Sequence, residues 1–285
     1  MELNTRTVYS AYLQTCMLTK RPFVMKPFTT LNERFDIQAG VAPATNDYPG
    51  LGFMVIGNGG HRMVTGAGGK TKPEPIQHLA TDAAPYDPLP WVLRLPSEDL
   101  TSTERANYAL RKEETYDGRT YIAYYARRLD FSTVVPVMQY ITVDENGDQT
   151  VTDFEPNNSN LFPTPQNLEN TNVNVPTGTY VSASAKILIP ISAWEANELI
   201  NVAQVKYADP DYAIISEVEL VTGVNKTVSV SGPSGTFNFN EVIAAQVASH
   251  VAAFYPVRFS RNGFEISLDV GATEPLFRLV EAGTP

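Results

Sequence analysis

The sequence predicts a mainly β, α+β fold made of antiparallel β-sandwich-like domains, with about three short helices and long irregular arms. Three observations lead to this class. Hydrophobic residues recur mostly with a period of two, turn residues separate the alternating segments, and the few helix-start signals stand between strands. This order of elements differs from the regular alternation of strands and helices that predicts a parallel sheet.

The strongest strand signals are two hairpins. Residues 134–154, VVPVMQYITVDENGDQTVTDF, contain two alternating segments around a turn at 144–148. A second hairpin is predicted to join Val257–Phe259 to residues 264–270 through Asn262-Gly263, because both central residues of a type I′ turn need positive φ. Further strands are predicted over Thr7–Leu18, Gly52–Ile56, Arg119–Leu129, Tyr180–Ile189, Ala213–Thr222 and Thr227–Val230.

Three helices are predicted from their start signals. Thr101 and Glu104 form a capping-box pattern, in which each side chain accepts a backbone N–H of the other residue, and Ser192 with Glu195 repeats it. Asn240 is a third N-cap candidate, ahead of an alanine-rich segment that stops before a proline. The helices are expected to end at about Lys112, Tyr207 and Phe254.

Two long segments fit neither a strand nor a helix. Residues 57–87 are rich first in glycine and then in proline, and residues 155–179 are rich in asparagine and proline. Both exceed the length of ordinary connections. We therefore predict an N-terminal mainly β domain over 1–158 that carries the glycine-rich loop 57–87, an Asn/Pro-rich linker or arm over 159–179, and a C-terminal α+β domain over 180–285.

The charge of the chain argues against two classes of partner. With 31 acidic and 21 basic side chains among 285 residues, the formal net charge is −10 and the pI is about 4.8. This field repels nucleic acid and anionic lipid, so neither a nucleic-acid nor a membrane partner is expected. The sequence also shows no signal-peptide pattern and no apolar run of about 20 residues.

The glycine-rich loop resembles a phosphate-binding motif but lacks its framework. Gly69-Lys70-Thr71 ends like a P-loop, yet Val64 stands where the first glycine belongs, and Lys72-Pro73 follows instead of a helix start. The dinucleotide-binding pattern fails in the same way, because His61 and Arg62 follow Gly57-Asn58-Gly59. We expect no nucleotide cofactor.

A calcium loop is also weighed and set aside. Asp144, Asn146, Asp148 and Glu155 match positions 1, 3, 5 and 12 of the calcium-binding template. The sixth position holds Gln149 in place of the glycine that the sharp turn requires, and the flanks alternate like strands. An acidic hairpin tip is the favoured interpretation.

No metal or catalytic residue is assigned. The histidines are far apart in sequence and follow no metal-binding spacing, so each is interpreted as a surface or core histidine: His61, His78 and His250. The only cysteine, Cys16, is expected to be a small buried hydrophobic residue. No GxSxG elbow occurs. We expect a protein that is not an enzyme.

Paired acidic residues and a tyrosine cluster receive structural interpretations. Glu113-Glu114 is expected at a solvated helix end, and Glu217 with Glu219 on one face of a strand. Tyr121, Tyr124 and Tyr125, beside Arg127 and Arg128, are expected to serve sheet packing and an interface.

Three segments resemble structural proteins of tailed bacteriophages: LRLPSEDLTSTERANYALR (Leu93–Arg111), YAIISEVELVTGV (Tyr212–Val224) and NGFEISLDVGATEPLF (Asn262–Phe277). Their order along the chain is similar to that of baseplate wedge proteins of contractile-tailed phages. The resemblance implies a β-dominated subunit with a sandwich domain, often paired with a second copy and placed between tail-tube and fibre-bearing components. It carries over no site residues, because the function it implies is contact surface.

The expected function is therefore that of a non-enzymatic structural subunit of a phage tail, assembled in the host cytoplasm and located in the baseplate of the virion. Its expected partners are other tail and baseplate proteins and a second copy of the chain. A neck, tail-connector or adaptor protein of the virion is an alternative, because the chain is shorter than the wedge protein and carries the glycine-rich loop. A carbohydrate-binding or adhesin-like module, using Trp91 or Trp194 as a platform, is another alternative; Trp194 is expected to be buried. An enzyme with its site in loop 57–87 is the third alternative.

Overall fold

The computed structural model describes residues 2–144, 146–158, 179–232 and 235–275. Strands make up 49% of the structure and helices 19%, so the predicted mainly β, α+β class of β-sandwich-like architecture is confirmed. The chain divides into two compact units that are interleaved in sequence: residues 1–130 with 190–264, and residues 131–189 with 265–285. The predicted linker over 159–179 falls within the second unit, and residues 159–178 lie outside the described residues.

The strands run in chain order as β1 Leu3–Arg6, β2 Gly50–Gly57, β3 His61–Thr65, β4 Thr71–Pro75, β5 Pro88–Leu89, β6 Val92–Arg94, β7 Tyr108–Tyr116, β8 Arg119–Arg128, β9 Val137–Val143, β10 Gln149–Asp153, β11 Thr179–Ser192, β12 Ile214–Gly232, β13 Gly235–Pro256 and β14 Gly263–Pro275. The described residues also form the helices α1 Val8–Thr19, α2 Leu31–Phe35, α3 Ser102–Arg105 and α4 Ala193–Tyr207. Short 3₁₀ turns cover Pro96–Glu98, Pro210–Tyr212 and Val257–Phe259.

The first unit is built on an eight-stranded sheet. Its main path runs β1-β13-β12-β2-β8-β6, with β5 beside β2 and β7 beside β8. Every strand pair with a determined register in this sheet is antiparallel. The central strands are apolar and buried, which places the hydrophobic core along β2, β8, β12 and β13. The hairpin of β3 and β4 forms a separate two-stranded sheet.

The second unit is built on a four-stranded sheet in the order β10-β9-β11-β14. The predicted hairpin over 134–154 is confirmed as β9 and β10, with Asp144 at its tip. The Asp144 carboxylate accepts the backbone N–H groups of Asn146 and Asp148 at 2.9 and 2.8 Å, so it serves the turn as expected for an acidic hairpin tip. Ile187, Ile189, Ile266 and Leu268 are buried.

Several predicted elements are confirmed. The strands predicted at 52–56, 119–129 and 180–189 are β2, β8 and β11, and the segments 213–222 and 227–230 are parts of the single strand β12. The capping box of Ser192 and Glu195 opens α4, which ends at the predicted residue, Tyr207. Cys16 is buried, as predicted.

Other predictions are wrong, because local signals such as helix caps and pairing with distant strands favour different structures for the same residues. Thr7–Leu18 is not a strand but mostly α1, because the Thr7 hydroxyl caps the helix by accepting the Ser10 N–H. The capping box of Thr101 and Glu104 exists, but the helix it opens ends at Arg105 instead of near Lys112, because the following residues pair as β7 with β8.

The predicted helix from Asn240 to Phe254 is wrong as well. These residues belong to β13, which pairs with β12 on one side and with β1 on the other. A strand that is covered on both faces reads as a continuous apolar run, which sequence periodicity cannot distinguish from a buried helix. The hairpin predicted through Asn262-Gly263 is also wrong, because Val257–Phe259 forms a 3₁₀ turn and β14 is the neighbour of β11.

Candidate functional site

Charged side chains lie at the centre of the large sheet. Glu217 and Glu219 are two residues apart on β12, so their side chains share one face of the sheet, and both are 0% exposed. His250 of β13 stands directly opposite Glu219 in the strand register and is also buried. Charged groups are rarely buried without partners, which makes this face of the sheet the candidate functional site.

The loop between β4 and β5, residues 76–87, packs over this cluster and contributes a third element to it, after β12 and β13. His78 enters from the loop with its side chain only 1% exposed. Its ring is stacked between the rings of Tyr86 and His250, with centroid distances of 4.0 Å on each side and interplanar angles of 8° and 11°. The loop is thus held to the sheet by ring stacking as well as by polar contacts.

Glu217 is fully satisfied as a hydrogen-bond acceptor. Its Oε1 accepts the Tyr86 N–H at 2.6 Å and lies 2.9 Å from His78 Nε2. Its Oε2 accepts the N–H groups of Gly59 at 2.7 Å and Asp87 at 3.3 Å. A carboxylate that receives several N–H groups is stabilised in its charged form even when it is buried. Glu217 therefore joins two loop segments to the core of the sheet.

The glycines of the segment 57–60 allow this approach. A Cβ on Gly59 would stand 2.6 Å from Tyr86 Cβ and 2.8 Å from the Asp87 nitrogen, and one on Gly60 would stand 2.5 Å from Glu217 Cγ. These distances are shorter than side-chain packing allows, so the glycines admit the buried carboxylate and the returning loop. The glycine pattern is accounted for by packing, without a phosphate ligand.

Glu219 contrasts with its neighbour on the strand. Its Oε1 lies 3.7 Å from His78 Nε2 and its Oε2 contacts His250 Nδ1. Neither contact has hydrogen-bond geometry, so both carboxylate oxygens and His250 Nδ1 lack a hydrogen-bond partner although they are buried. Buried polar atoms without a partner are uncommon and call for an explanation.

The burial of this cluster shifts its ionisation. Burial alone lowers the pKa of an imidazole, but the hydrogen bond to Glu217 and the nearby carboxylates outweigh it, so the pKa of His78 is raised. Burial raises the pKa of Glu219, and the His250 and His78 rings oppose that shift. The cluster therefore stabilises positive charge on His78 and penalises negative charge on Glu219.

The donor types in the cluster are those of a cation site. One ligand-type atom each of His78, Glu219 and His250 lies within 4.8 Å of the others. Imidazole nitrogens and carboxylate oxygens bind transition metals, and the same groups can share protons. Since these side chains scarcely reach solvent, the arrangement suits holding a charge within the fold rather than turning over a substrate.

Sequence reasoning missed this site. It treated the histidines separately, whereas the fold brings His78 and His250 together and leaves His61 outside, edge to face with Phe254 at a centroid distance of 4.9 Å. Glu217 and Glu219 share one face of a strand, as predicted, and that face is buried. The usable signal was the spacing of two acidic residues at alternate positions inside the apolar segment YAIISEVELVTGV.

Three further sequence-predicted features have plain structural roles. Gly69-Lys70-Thr71 belongs to the turn and second strand of the β3–β4 hairpin, and Gly68 and Gly69 adopt positive φ there. Tyr124 and Tyr125 are buried in the sheet, as the packing interpretation predicts. Glu113-Glu114 is not at a helix end but on β7, where Glu114 accepts the Tyr125 hydroxyl at 2.9 Å.

The chain belongs to DUF7208, a family of unknown function, whose family model matches residues 1–283. No curated protein and no solved structure matches the chain. Among the described residues, no helix combines the length and the apolar character that crossing a membrane requires.

Proposed function

We propose that this protein is a non-enzymatic structural subunit of a tailed-phage virion, a baseplate wedge component that holds neighbouring subunits at fixed geometry. Its partners in this proposal are other tail and baseplate proteins and a second copy of the chain. The sequence resemblance supports a location in the virion. The form of one hairpin supports a way for the subunit to contact its neighbours. A neck or tail-connector protein of the virion is the alternative within the same class.

The observation that carries the proposal is the outer part of the β12–β13 hairpin. β12 pairs with β2 only as far as Gly223, whereas its pairing with β13 continues to Gly232. Residues 224–232 and 235–243 therefore form a two-stranded ribbon, called here the outer ribbon, with no third strand among the described residues. A two-stranded ribbon alone is marginally stable in water. Beyond the two carbonyls that Arg128 and Asn32 bind, its edges have no neighbouring strand among the described residues, so it is suited to docking against another subunit.

The outer ribbon has two chemically different faces. Thr227 and Ser229 contact Asn240 and Asn238 across the strands at 3.0 and 2.7 Å, which makes one face polar. The register pairs Val228 with Phe239 on the alternate positions, and these residues are apolar. Both residues are half-buried, and the Arg105 guanidinium lies 5.0 Å from the centre of the Phe239 ring. A protein partner would bury the part of this apolar face that the chain itself leaves uncovered, which favours association.

The second unit adds apolar surface of its own. Its exposed hydrophobic residues include Val135, Met138, Val151 and Leu188, and Leu188 is 52% exposed. Its strands β10 and β14 end the sheet and carry free edges within the described residues. Monomeric proteins usually protect such edges, so this surface also favours a subunit that works inside an assembly.

The first experiment measures the mass of the purified chain by light scattering. The test variant replaces residues 227–240 with Asn-Gly between the paired residues Lys226 and Glu241, which suits a two-residue hairpin turn. The matched control replaces residues 66–70 with Asn-Gly between Thr65 and Thr71, the corresponding pair of the β3–β4 hairpin. We expect a dimer or larger ring for the wild type and the control, and a folded monomer for the test variant.

A wild-type monomer at all accessible concentrations, or a test variant that assembles like the wild type, would count against the ribbon as an assembly arm. The assignment to a virion has its own test, which is mass spectrometry of purified particles of the phage that encodes the chain. Stoichiometric peptides from particles support it, and their absence from intact particles overturns it.

One observation favours a second function. The expected burial of Trp194 is wrong: its side chain is 39% exposed, at the rim of a depression of about 240 Å³ that Asn107, Arg127 and Ser192 also line, whereas Trp91 is buried. An exposed indole beside polar groups can stack on a sugar ring. Quenching of tryptophan emission by an oligosaccharide, lost in Trp194→Phe, would support a carbohydrate-binding module, and unchanged emission would exclude this site.

A further inference from the structure

We propose that His78, Glu219 and His250 form a buried structural site for a divalent transition metal, with zinc as the best-fitting ion. This inference goes beyond the assembly function and does not depend on it. The three residues come from the 76–87 loop, β12 and β13, so the metal would join the loop to the two central strands of the sheet.

Hydrogen bonding fixes which ring nitrogens point into the site. His78 Nδ1 lies 3.0 Å from Asp82 Oδ2, and a carboxylate at that distance accepts an N–H. His250 Nε2 lies 3.1 Å from the Asp82 carbonyl oxygen, which also can only accept. One nitrogen of each ring is thus committed as a donor, and His78 Nε2 and His250 Nδ1 remain for the cluster.

The remaining nitrogens face carboxylates rather than donors. In a neutral imidazole whose other nitrogen carries the proton, each would present a lone pair to Glu217 or Glu219. Lone pairs facing carboxylate oxygens repel, so positive charge must lie between them, either as a second ring proton, as in the 2.9 Å hydrogen bond of His78 Nε2 to Glu217, or as a metal ion. A metal ion supplies that charge and at the same time gives Glu219 and His250 Nδ1 the partners that the hydrogen-bond network does not.

The distances allow a tetrahedral ion after a small rearrangement. Zinc bonds of about 2.0–2.1 Å to nitrogen and oxygen place neighbouring ligand atoms about 3.3 Å apart. His78 Nε2 lies 3.7 Å from Glu219 Oε1, close to that separation, whereas His250 Nδ1 and Glu219 Oε2 are in direct contact and must move apart to bind an ion. The protein supplies these three ligands, and the fourth position would fall to a solvent molecule.

The surroundings have the features of a metal site. Asp82 accepts the outer N–H of His78, which is the carboxylate–histidine arrangement that orients metal-bound imidazoles and fixes their tautomer. Neutral nitrogen and carboxylate donors without a thiolate favour zinc over soft ions such as copper(I). Full burial of the three ligands leaves no access for a substrate, so the ion would stabilise the fold.

An entry path exists beside the ligands. The Tyr86 ring, which covers His78, is 45% exposed. Asp82 and Tyr86 border a surface depression of about 470 Å³. Displacement of the Tyr86 ring opens His78 to this depression, so an ion can reach the site without unfolding of the sheet.

The test uses the full chain, stripped with a chelator and then titrated with Zn²⁺ alone against a chromophoric competitor. We expect one zinc per chain. Glu219→Gln keeps the side-chain shape but removes the anionic ligand, and should abolish binding. Asp82→Asn should weaken it by about 10–100-fold, the effect of losing an outer partner of a ligating histidine. The matched control, His61→Asn, changes the one histidine outside the cluster and should bind like the wild type.

A second measurement keeps the proposal testable if Glu219→Gln does not fold. Side-chain NMR of histidine-labelled wild type should show zinc moving the ring signals of His78 and His250 and leaving those of His61 unchanged. The proposal is overturned if the wild type binds neither Zn²⁺ nor Co²⁺, or if all three histidines respond alike. In either case protons, and not a metal ion, would supply the positive charge between the imidazole rings and the carboxylates.

Discussion

The two halves of the β12–β13 hairpin differ in what they bury, although the same two strands form both. The inner half, residues 214–223 with 244–256, lies between β2 and β1 and buries Glu217, Glu219 and His250. The outer ribbon contains Lys226 and Asn225 on its exposed surface, together with the apolar positions of Val228 and Phe239. The inner half thus buries charged side chains within the apolar core, whereas the outer ribbon exposes polar side chains and keeps Val228 and Phe239 half-buried.

The difference shows that flanking elements, rather than the strands themselves, decide the role of each half. The inner half receives N–H donors from Gly59, Tyr86 and Asp87, which make a buried carboxylate tolerable. The described residues cover the outer ribbon only in part: Arg128 and Asn32 bind its carbonyls at the base, and the Arg105 guanidinium lies over the Phe239 ring.

Glu217→Ala should produce the largest effect. It leaves the N–H groups of Gly59 and Tyr86 without their acceptor and removes a charge partner of His78, so we expect a loss of about 3–5 kcal/mol in the free energy of unfolding. Urea denaturation followed by circular dichroism measures it. Lys226→Ala, on the exposed part of the same strand, is the control and should change stability by less than about 0.5 kcal/mol. Equal losses of stability in the two variants would show that the buried Glu217 stabilises the chain no more than an exposed side chain of the same strand.

Asn32→Ala should produce the next largest effect, at the boundary between the halves. The Asn32 amide donates to the carbonyls of Val242 at 2.8 Å and Ile37 at 3.0 Å, and its oxygen accepts the Ala245 N–H at 2.8 Å. These bonds bracket Ala244, which has φ +50° where the register of the hairpin shifts.

The change leaves buried backbone groups unpaired, so we expect a loss of about 2–3 kcal/mol. The same denaturation experiment measures it, with the exposed residue Asn46→Ala as the control. A loss below about 0.5 kcal/mol would mean that the shifted register holds without this side chain.

Arg128→Ala should have a smaller effect that is confined to the base of the outer ribbon. The guanidinium donates to Asn225 Oδ1 and to the Asn240 carbonyl, both at 2.5 Å, and so bridges the two ribbon strands. These bonds are partly exposed, so we expect a loss of about 1 kcal/mol. Hydrogen exchange should accelerate in residues 224–243 and remain unchanged around Glu217. Uniform acceleration would mean that the two halves open together.

The sequence predicted the elements whose signals are local. The capping box of Ser192 and Glu195 acts within one helical turn, and the alternation over 134–154 lies within one hairpin, so both were found. The strand over 240–254 was missed because its alanines and valines suit a helix equally well. Its identity depends on pairing with β12 and β1, which are distant in the chain.

The candidate site was missed for the same reason. His78 and Glu217 are 139 residues apart, and His250 reaches the backbone of Asp82 across 168 residues. No spacing rule covers such separations, because the ligands meet only when the sheet forms. The acidic pair on β12 was visible, but its burial depends on loop 76–87 folding over it, which sequence periodicity does not reveal.

Val228→Ser should change the stability of the isolated chain least, by less than about 0.5 kcal/mol, because Val228 is only half-buried and this part of β12 has no third strand beside it among the described residues. Its effect should fall on association, since the apolar face loses area that a partner buries. Light scattering should show a shift toward monomer, whereas Thr227→Ser on the polar face should leave the assembled mass unchanged. If Val228→Ser destabilises the chain as much as Arg128→Ala does, this residue contributes to the fold of the chain rather than to assembly. The contrast between the two halves would then be one of degree.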